Sequence, residues 1–230
     1  MNISRKSLFS VCILFVIVIV QFASPQSVRA ACAPNHIIYV APLGSGADGC
    51  SWATAFPLLP DALALATSGD QIWVATGTYY PDEGTGRVNN DRSNAFDIGE
   101  GVAIYGGFTI GQTQLSDRNS NPATNGTVLS GDIDGTPGDN AGNAYHVVTV
   151  SFTTNISVVD GFAVTGGNAN GGEVFGGGFY IINSSVTLAN LLVSSNHAPI
   201  GNGGGIYIST DPGEVISSPS LTNVTFDSNI

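Results

Sequence analysis

Beyond Lys6 the chain contains no lysine, and beyond Arg29 its only basic residues are Arg87, Arg92 and Arg118. The 17 acidic residues outnumber the 6 basic ones, for a formal charge of −11. Nucleic acid and anionic membrane surfaces are recognised through clustered Lys and Arg, so neither is expected as a partner. A polyanionic sugar would need Ca²⁺ to bridge the charges. Cysteine is almost as scarce: Cys12, Cys32 and Cys50 are too few for a disulfide scaffold, and no metal motif surrounds them. Long apolar runs are missing after Val20, which leaves no stretch for a membrane-spanning helix.

The chain opens with a leader. Arg5 and Lys6 begin it, an apolar run from Leu8 to Val20 comes next, and Val28-Arg29-Ala30 supplies small residues at the cleavage positions. Residues 1–30 read as a secretory signal peptide, so the chain is expected outside the cell or on its surface. The mature domain, 31–230, keeps three arginines against 17 carboxylates, a formal charge of −14. Cys12 leaves with the leader. In an oxidising compartment Cys32 and Cys50, 18 residues apart, are expected to pair, two free thiols being the alternative.

From Trp52 to Ala66 apolar residues fall at helical spacing, with Pro60 near the first turn, and this is the only helix expected. It would cover the open end of the β-rich remainder of the chain. From Asp70 onward, short β-branched runs such as Ile72-Trp73-Val74-Ala75 and Val102-Ala103-Ile104-Tyr105 alternate with Gly, Asn and Asp turns. The last fifty residues repeat. G-G-G-F-Y-I and S-V-T-L-A-N-L-L-V-S-S-N are succeeded by G-G-G-I-Y-I and S-P-S-L-T-N-V-T-F-D-S-N. Tyr180 and Tyr207 stand 27 apart, whereas Leu188/Leu221, Asn190/Asn223, Val193/Phe226 and Asn196/Asn229 stand 33 apart. The difference is an insertion around Asp211–Glu214. Recurrence at this period predicts a solenoid whose turns lie about 4.8 Å apart, so that like residues stack on like.

These repeats resemble the G-G-A-I and F-x-x-N repeats of polymorphic outer membrane proteins. Upstream, S-W-A-T-A-F, G-D-Q-I-W-V-A-T-G-T-Y, V-A-I-Y-G-G-F and V-D-G-F-A-V-T-G-G-N-A-N are similar to the N-terminal region of exported right-handed parallel β-helix repeat proteins. The resemblance covers most of residues 37–229. Gly replaces the Ala of the first motif, and the first copy has Val193 where the motif has Phe. It implies an all-β, pectin-lyase-like right-handed parallel β-helix with one N-terminal capping helix, displayed outside the cell for adhesion or carbohydrate contact. A surface glycan or a host or neighbouring-cell component would be the partner. The chain stops one residue after the second Asn motif without a capping segment, so a longer protein is expected.

Since this fold also hosts polysaccharide lyases and glycosidases, activity has to be sought in the residues. A lyase uses Arg or Lys as the base beside Ca²⁺-binding acids, and the three mature arginines fall in or beside loops. Convergent carboxylates, as in an inverting glycosidase, are not evident either: Asp160, Glu173, Asp211, Glu214 and Asp227 occupy unrelated repeat positions. No catalytic residue is assigned. A binding module is the preferred reading, with a lyase or glycosidase and a plain structural spacer as alternatives. Asp132, Asp134 and Asp139 open like a Ca²⁺ loop, but the closing bidentate Glu is missing and a structural turn is preferred, leaving no cofactor assigned beyond this candidate. His36, His146 and His197 read as packing or surface residues. Alternation turns Tyr180 and Tyr207 outward, either as a cross-strand ladder or as a platform for sugar rings.

Overall fold

The computed structural model describes residues 32, 37–153, 157–214 and 216–230. The segment expected to be a signal peptide, 1–30, and His36 lie outside the described residues.

Among the described residues the chain forms twelve strands, β1 (Ile37–Val40), β2 (Gln71–Ala75), β3 (Gly77–Tyr79), β4 (Phe96–Ile98), β5 (Ala103–Phe108), β6 (Thr127–Ser130), β7 (Val148–Ser151), β8 (Val158–Thr165), β9 (Phe179–Ile182), β10 (Thr187–Ser194), β11 (Ile206–Ser209) and β12 (Ser220–Asp227). Every strand pairing is parallel. One sheet holds β1-β2-β5-β8-β10-β12, with β3 and β6 joined to it through β8; the other runs β11-β9-β7-β4. From β6 onward successive strands alternate between the two sheets. That alternation supplies the long crossover that parallel pairing requires, without needing a helix.

The interior lies between the sheets. In β8, β10 and β12 the residues Val159/Leu188/Leu221, Phe162/Leu191/Val224 and Val164/Val193/Phe226 are in register. Phe179 and Ile181 of β9 face them, between Val148/Val150 of β7 and Ile206/Ile208 of β11. All members up to β10 are fully buried; Leu221, Phe226 and Ile208 of the last repeat are not.

Asparagine turns the corners. Asn190 and Asn223 sit at φ 49° and 53°, a left-handed backbone in which Asn is better tolerated than most residues. Asn223 Nδ2 donates to Asn190 Oδ1 at 2.8 Å, and Asn190 Nδ2 donates to Asp160 Oδ1 at 2.8 Å. At a second corner Asn229 Oδ1 accepts from both the backbone N and Nδ2 of Asn196. Gly176 takes φ +70° before β9, and a Cβ on Gly178 would lie 2.4 Å from the Gly205 carbonyl oxygen. Close approach of successive repeats thus requires the glycine there.

The N-terminal end departs from the expected single helix. Trp52–Thr54 is a 3-10 turn capped by Ser51, and the helix α1 covers only Leu59–Leu65. Pro57 explains the break, because the residue before a proline is driven out of the helical region, whereas Pro60 falls in the first turn of α1, where its missing N–H costs little. Leu59 and Ala62 are buried, and α1 packs on β1, β2 and β4. A second short helix, α2 (Pro122–Asn125), was not expected; the Asn121 side chain caps it and Gly126 ends it at φ 67°. The outer edge of β1 is paired as well, since Phe56 N donates to Tyr39 O and Tyr39 N donates to Gly49 O. Cys32 and Cys50 form a disulfide with Cα atoms 4.7 Å apart. Trp73 stacks on Phe108 at 4.4 Å, with Tyr39 and Trp52 against them, outside the main core.

Candidate functional site

Period-two alternation leaves one residue of each strand in the β4–β7–β9–β11 sheet pointing away from the core at the same register: Asp97, Thr149, Tyr180 and Tyr207. The Thr149 hydroxyl donates to Asp97 Oδ1. Tyr180 and Tyr207 stack with centroids 5.9 Å apart and planes 9° apart. His146, just before β7, lies on Tyr180 at 5.0 Å, and Phe175, just before β9, lies on Tyr207 at 4.6 Å. Four rings thus form one run.

The two faces of Tyr180 are covered, by His146 on the β7 side and by Tyr207 on the β11 side. A sugar ring laid flat on Tyr180 would have to displace one of them. What the row offers outward is ring edges and two phenol hydroxyls, neither of which has a hydrogen-bond partner among the described residues.

Carboxylates surround this run. Glu173 Oε2 lies 3.9 Å from His146 Nε2, and Arg87 reaches Asp97 at 3.9 Å. His146 Nδ1 lies 2.9 Å from the Gly176 carbonyl oxygen, which requires the proton on Nδ1 and leaves Nε2 toward Glu173. Burial holds the His146 pKa below the usual histidine value, opposed by the Gly176 carbonyl and by Glu173. Burial also raises the Tyr180 phenol, helped by the charges of Glu173 and Asp211 and by the neighbouring Tyr207. Tyr180 therefore keeps its proton and remains a donor through neutral pH.

The three aspartates of the calcium-like stretch are not used alike. Asp132 Oδ1 and Asp134 Oδ1 both accept from Thr136 N, at 3.0 and 3.3 Å. Asp134 also accepts from the Thr136 hydroxyl and packs against Gly142, whereas Asp132 and Asp139 line a cavity of about 410 Å³. Among the described residues no three His, Cys, Asp or Glu side chains are grouped to hold a metal ion.

The other two arginines of the described chain are committed elsewhere. Arg118 pairs with Asp160 at 2.7 Å, both largely buried, and lies over the Tyr105 ring. Arg92 donates to Asn143 O, Asn168 O and Asn170 Oδ1 and lies 4.2 Å over the Tyr145 ring. Sequence reasoning picked out the two tyrosines but not His146, Phe175, Glu173 or Asp97. The equal repeat position of the tyrosines was visible, whereas the other four reach the row from positions that only the folded register brings together.

No family model, no curated protein and no solved structure matches this chain. Among the described residues no helix is long and apolar enough to cross a membrane.

Proposed function

We propose that the chain is an exported right-handed parallel β-helix acting as a binding module, with carbohydrate on or around cells as its ligand class. In-register parallel strands alternating between two sheets, with asparagine ladders at the corners, support the β-helix reading. The Cys32–Cys50 disulfide supports an oxidising destination outside the cytosol. The observation that carries the binding reading is the outward row Asp97–Thr149–Tyr180–Tyr207, with Glu173 beside it. Phenol donors next to carboxylate acceptors suit the alternating hydroxyls of a saccharide, which would be held by ring edges and hydrogen bonds rather than by flat stacking.

A glycan array read with wild type, Tyr207→Phe and Thr149→Val tests this. Both substitutions remove a hydroxyl and keep the shape, so saccharide signal is expected in wild type and at least about tenfold less in each variant. Equal signal in all three would move the ligand off this face. Depolymerisation of an acidic polysaccharide, lost on a single carboxylate substitution, would replace the binding reading with an enzymatic one. Neither binding nor cleavage would leave a structural spacer.

A further inference from the structure

We propose that the outward row Asp97–Thr149–Tyr180–Tyr207 selects saccharides that carry a free amine and turns away uronates. The selection is exercised at the face already assigned to carbohydrate, so it stands only if that assignment holds.

Three carboxylates from three separate segments converge on the rings. Asp97 belongs to β4, Glu173 to the chain ahead of β9, and Asp211 to the insertion after β11. Asp97 and Glu173 both lie close enough to act on the charge of His146, and Glu173 and Asp211 both act on the Tyr180 phenol. Their heads meet solvent: the Asp97 side chain is 72% exposed, that of Glu173 59%, and Asp211 is exposed as well. Asn183 holds Asp211 in place, its Nδ2 donating to Asp211 Oδ2 at 3.1 Å and its Oδ1 accepting from Asp211 N at 2.8 Å.

Among the described residues no free cation answers these charges. Arg87 donates to Asn94 Oδ1 and to the Ala95 carbonyl oxygen, both at 3.1 Å, and stands 3.9 Å from Asp97. Burial favours the neutral ring of His146, whose Nδ1 is already given to the Gly176 carbonyl. Arg92 is spent on the Asn143, Asn168 and Asn170 oxygens, and Arg118 on Asp160. Three carboxylates thus stand against one arginine. A sugar carboxylate brought to the ring edges meets repulsion and no partner. A primary ammonium brings a charge of the opposite sign and three N–H donors for carboxylate and phenol oxygens.

The rings make this a sugar site rather than a loose cation site. Carboxylates this exposed hold a bare cation weakly, and both faces of Tyr180 are covered, so no ring face there is open to an ammonium. The hydroxyls of Tyr180, Tyr207 and Thr149 are complemented by hydroxyls on the ligand, and the amine then discriminates among ligands that already have them. One exposed ion pair contributes up to about fivefold in affinity, so a preference of about fivefold to tenfold is expected where one or two form.

The test is calorimetric titration of the full chain with three tetrasaccharides: glucosamine, its N-acetylated counterpart, and galacturonate. A pH of about 6 keeps the sugar amine protonated and lies well above the ordinary carboxylate range. The glucosamine tetramer is expected to bind about fivefold to tenfold more tightly than the N-acetylated one, with galacturonate weakest. Raising salt to about 0.5 M should shrink that preference, since the carboxylates are exposed. Glu173→Gln and Asp97→Asn, both at exposed side chains, should each bring the ratio of the two glucosamine affinities closer to one. Equal binding of all three sugars, or tightest binding of galacturonate, would overturn the charge selection; if Tyr207→Phe still weakens binding, the carbohydrate reading survives that result. Glucosamine binding that Tyr207→Phe leaves untouched would overturn it too, as diffuse attraction to an acidic chain. Binding of none of the three sugars, together with an empty glycan array, would overturn both readings.

Discussion

Replacing Leu188 by alanine removes a side chain with no exposed surface, in register with Val159 on one side and Leu221 on the other. Replacing Leu221 makes the same chemical change one repeat later, where the side chain is 43% exposed. Buried Leu→Ala substitutions cost about 2.7–5 kcal/mol, a transfer contribution plus a cavity contribution. Leu188 sits between two strands that cannot readily collapse into the space, so about 3–4 kcal/mol is expected. At Leu221 only part of the transfer contribution is available and an open site leaves little cavity, which gives about 1 kcal/mol. Urea unfolding monitored by circular dichroism, with wild type and both variants in one buffer, measures the difference. A cost at Leu221 equal to that at Leu188, or below about 1 kcal/mol at Leu188, would refute the inward ladder. Leu188→Asp goes further: an unpaired charge at the same position should abolish the cooperative melt.

Three other outcomes are expected. Arg118→Ala leaves the Asp160 carboxylate largely buried without its cation and should cost about 3–5 kcal/mol in urea unfolding, whereas the Arg118→Met/Asp160→Asn double variant should recover much of that loss. Reduction of Cys32–Cys50, which closes an 18-residue separation, should lower stability by about 2–4 kcal/mol without loss of the strand signal. Burial depresses the His146 pKa, so on acidification the unfolded chain takes up the proton first. Stability at this position is therefore full above the ordinary histidine value of 6.5, falls as pH drops through it, and levels off below the depressed folded value. His146→Phe, which keeps a ring on Tyr180, should flatten the fall in denaturation midpoint between about pH 7.5 and pH 5.

The repeat was legible because its chemistry is local. A Gly-rich bend, an apolar alternation and an Asn recur at fixed intervals, and equal positions in equal repeats are forced into register: Tyr180 on Tyr207, Leu188 on Leu221, Asn190 on Asn223. Helix bounds were less legible, since the periodicity of Trp52–Ala66 hides the stop set by Pro57, although Pro60 does fall in the first turn of α1. The strand Phe96–Ile98 was missed because three residues carry too little pattern to stand out beside a polar loop.

By itself, then, the sequence determined a mostly-β parallel architecture, its inward and outward positions and the stacking of its repeated asparagines, all consequences of backbone preference and short-range period. Tertiary structure alone decided which side chains from unequal positions meet. His146 and Phe175 complete the ring run, Arg118 reaches Asp160 across 42 residues, Arg92 is spent on carbonyl oxygens, and Asp132 and Asp134 share the Thr136 N–H. The physical reason is that loops of different length return the chain to one sheet at points no fixed period encodes. The candidate sites lie where those irregular returns converge on a regular face.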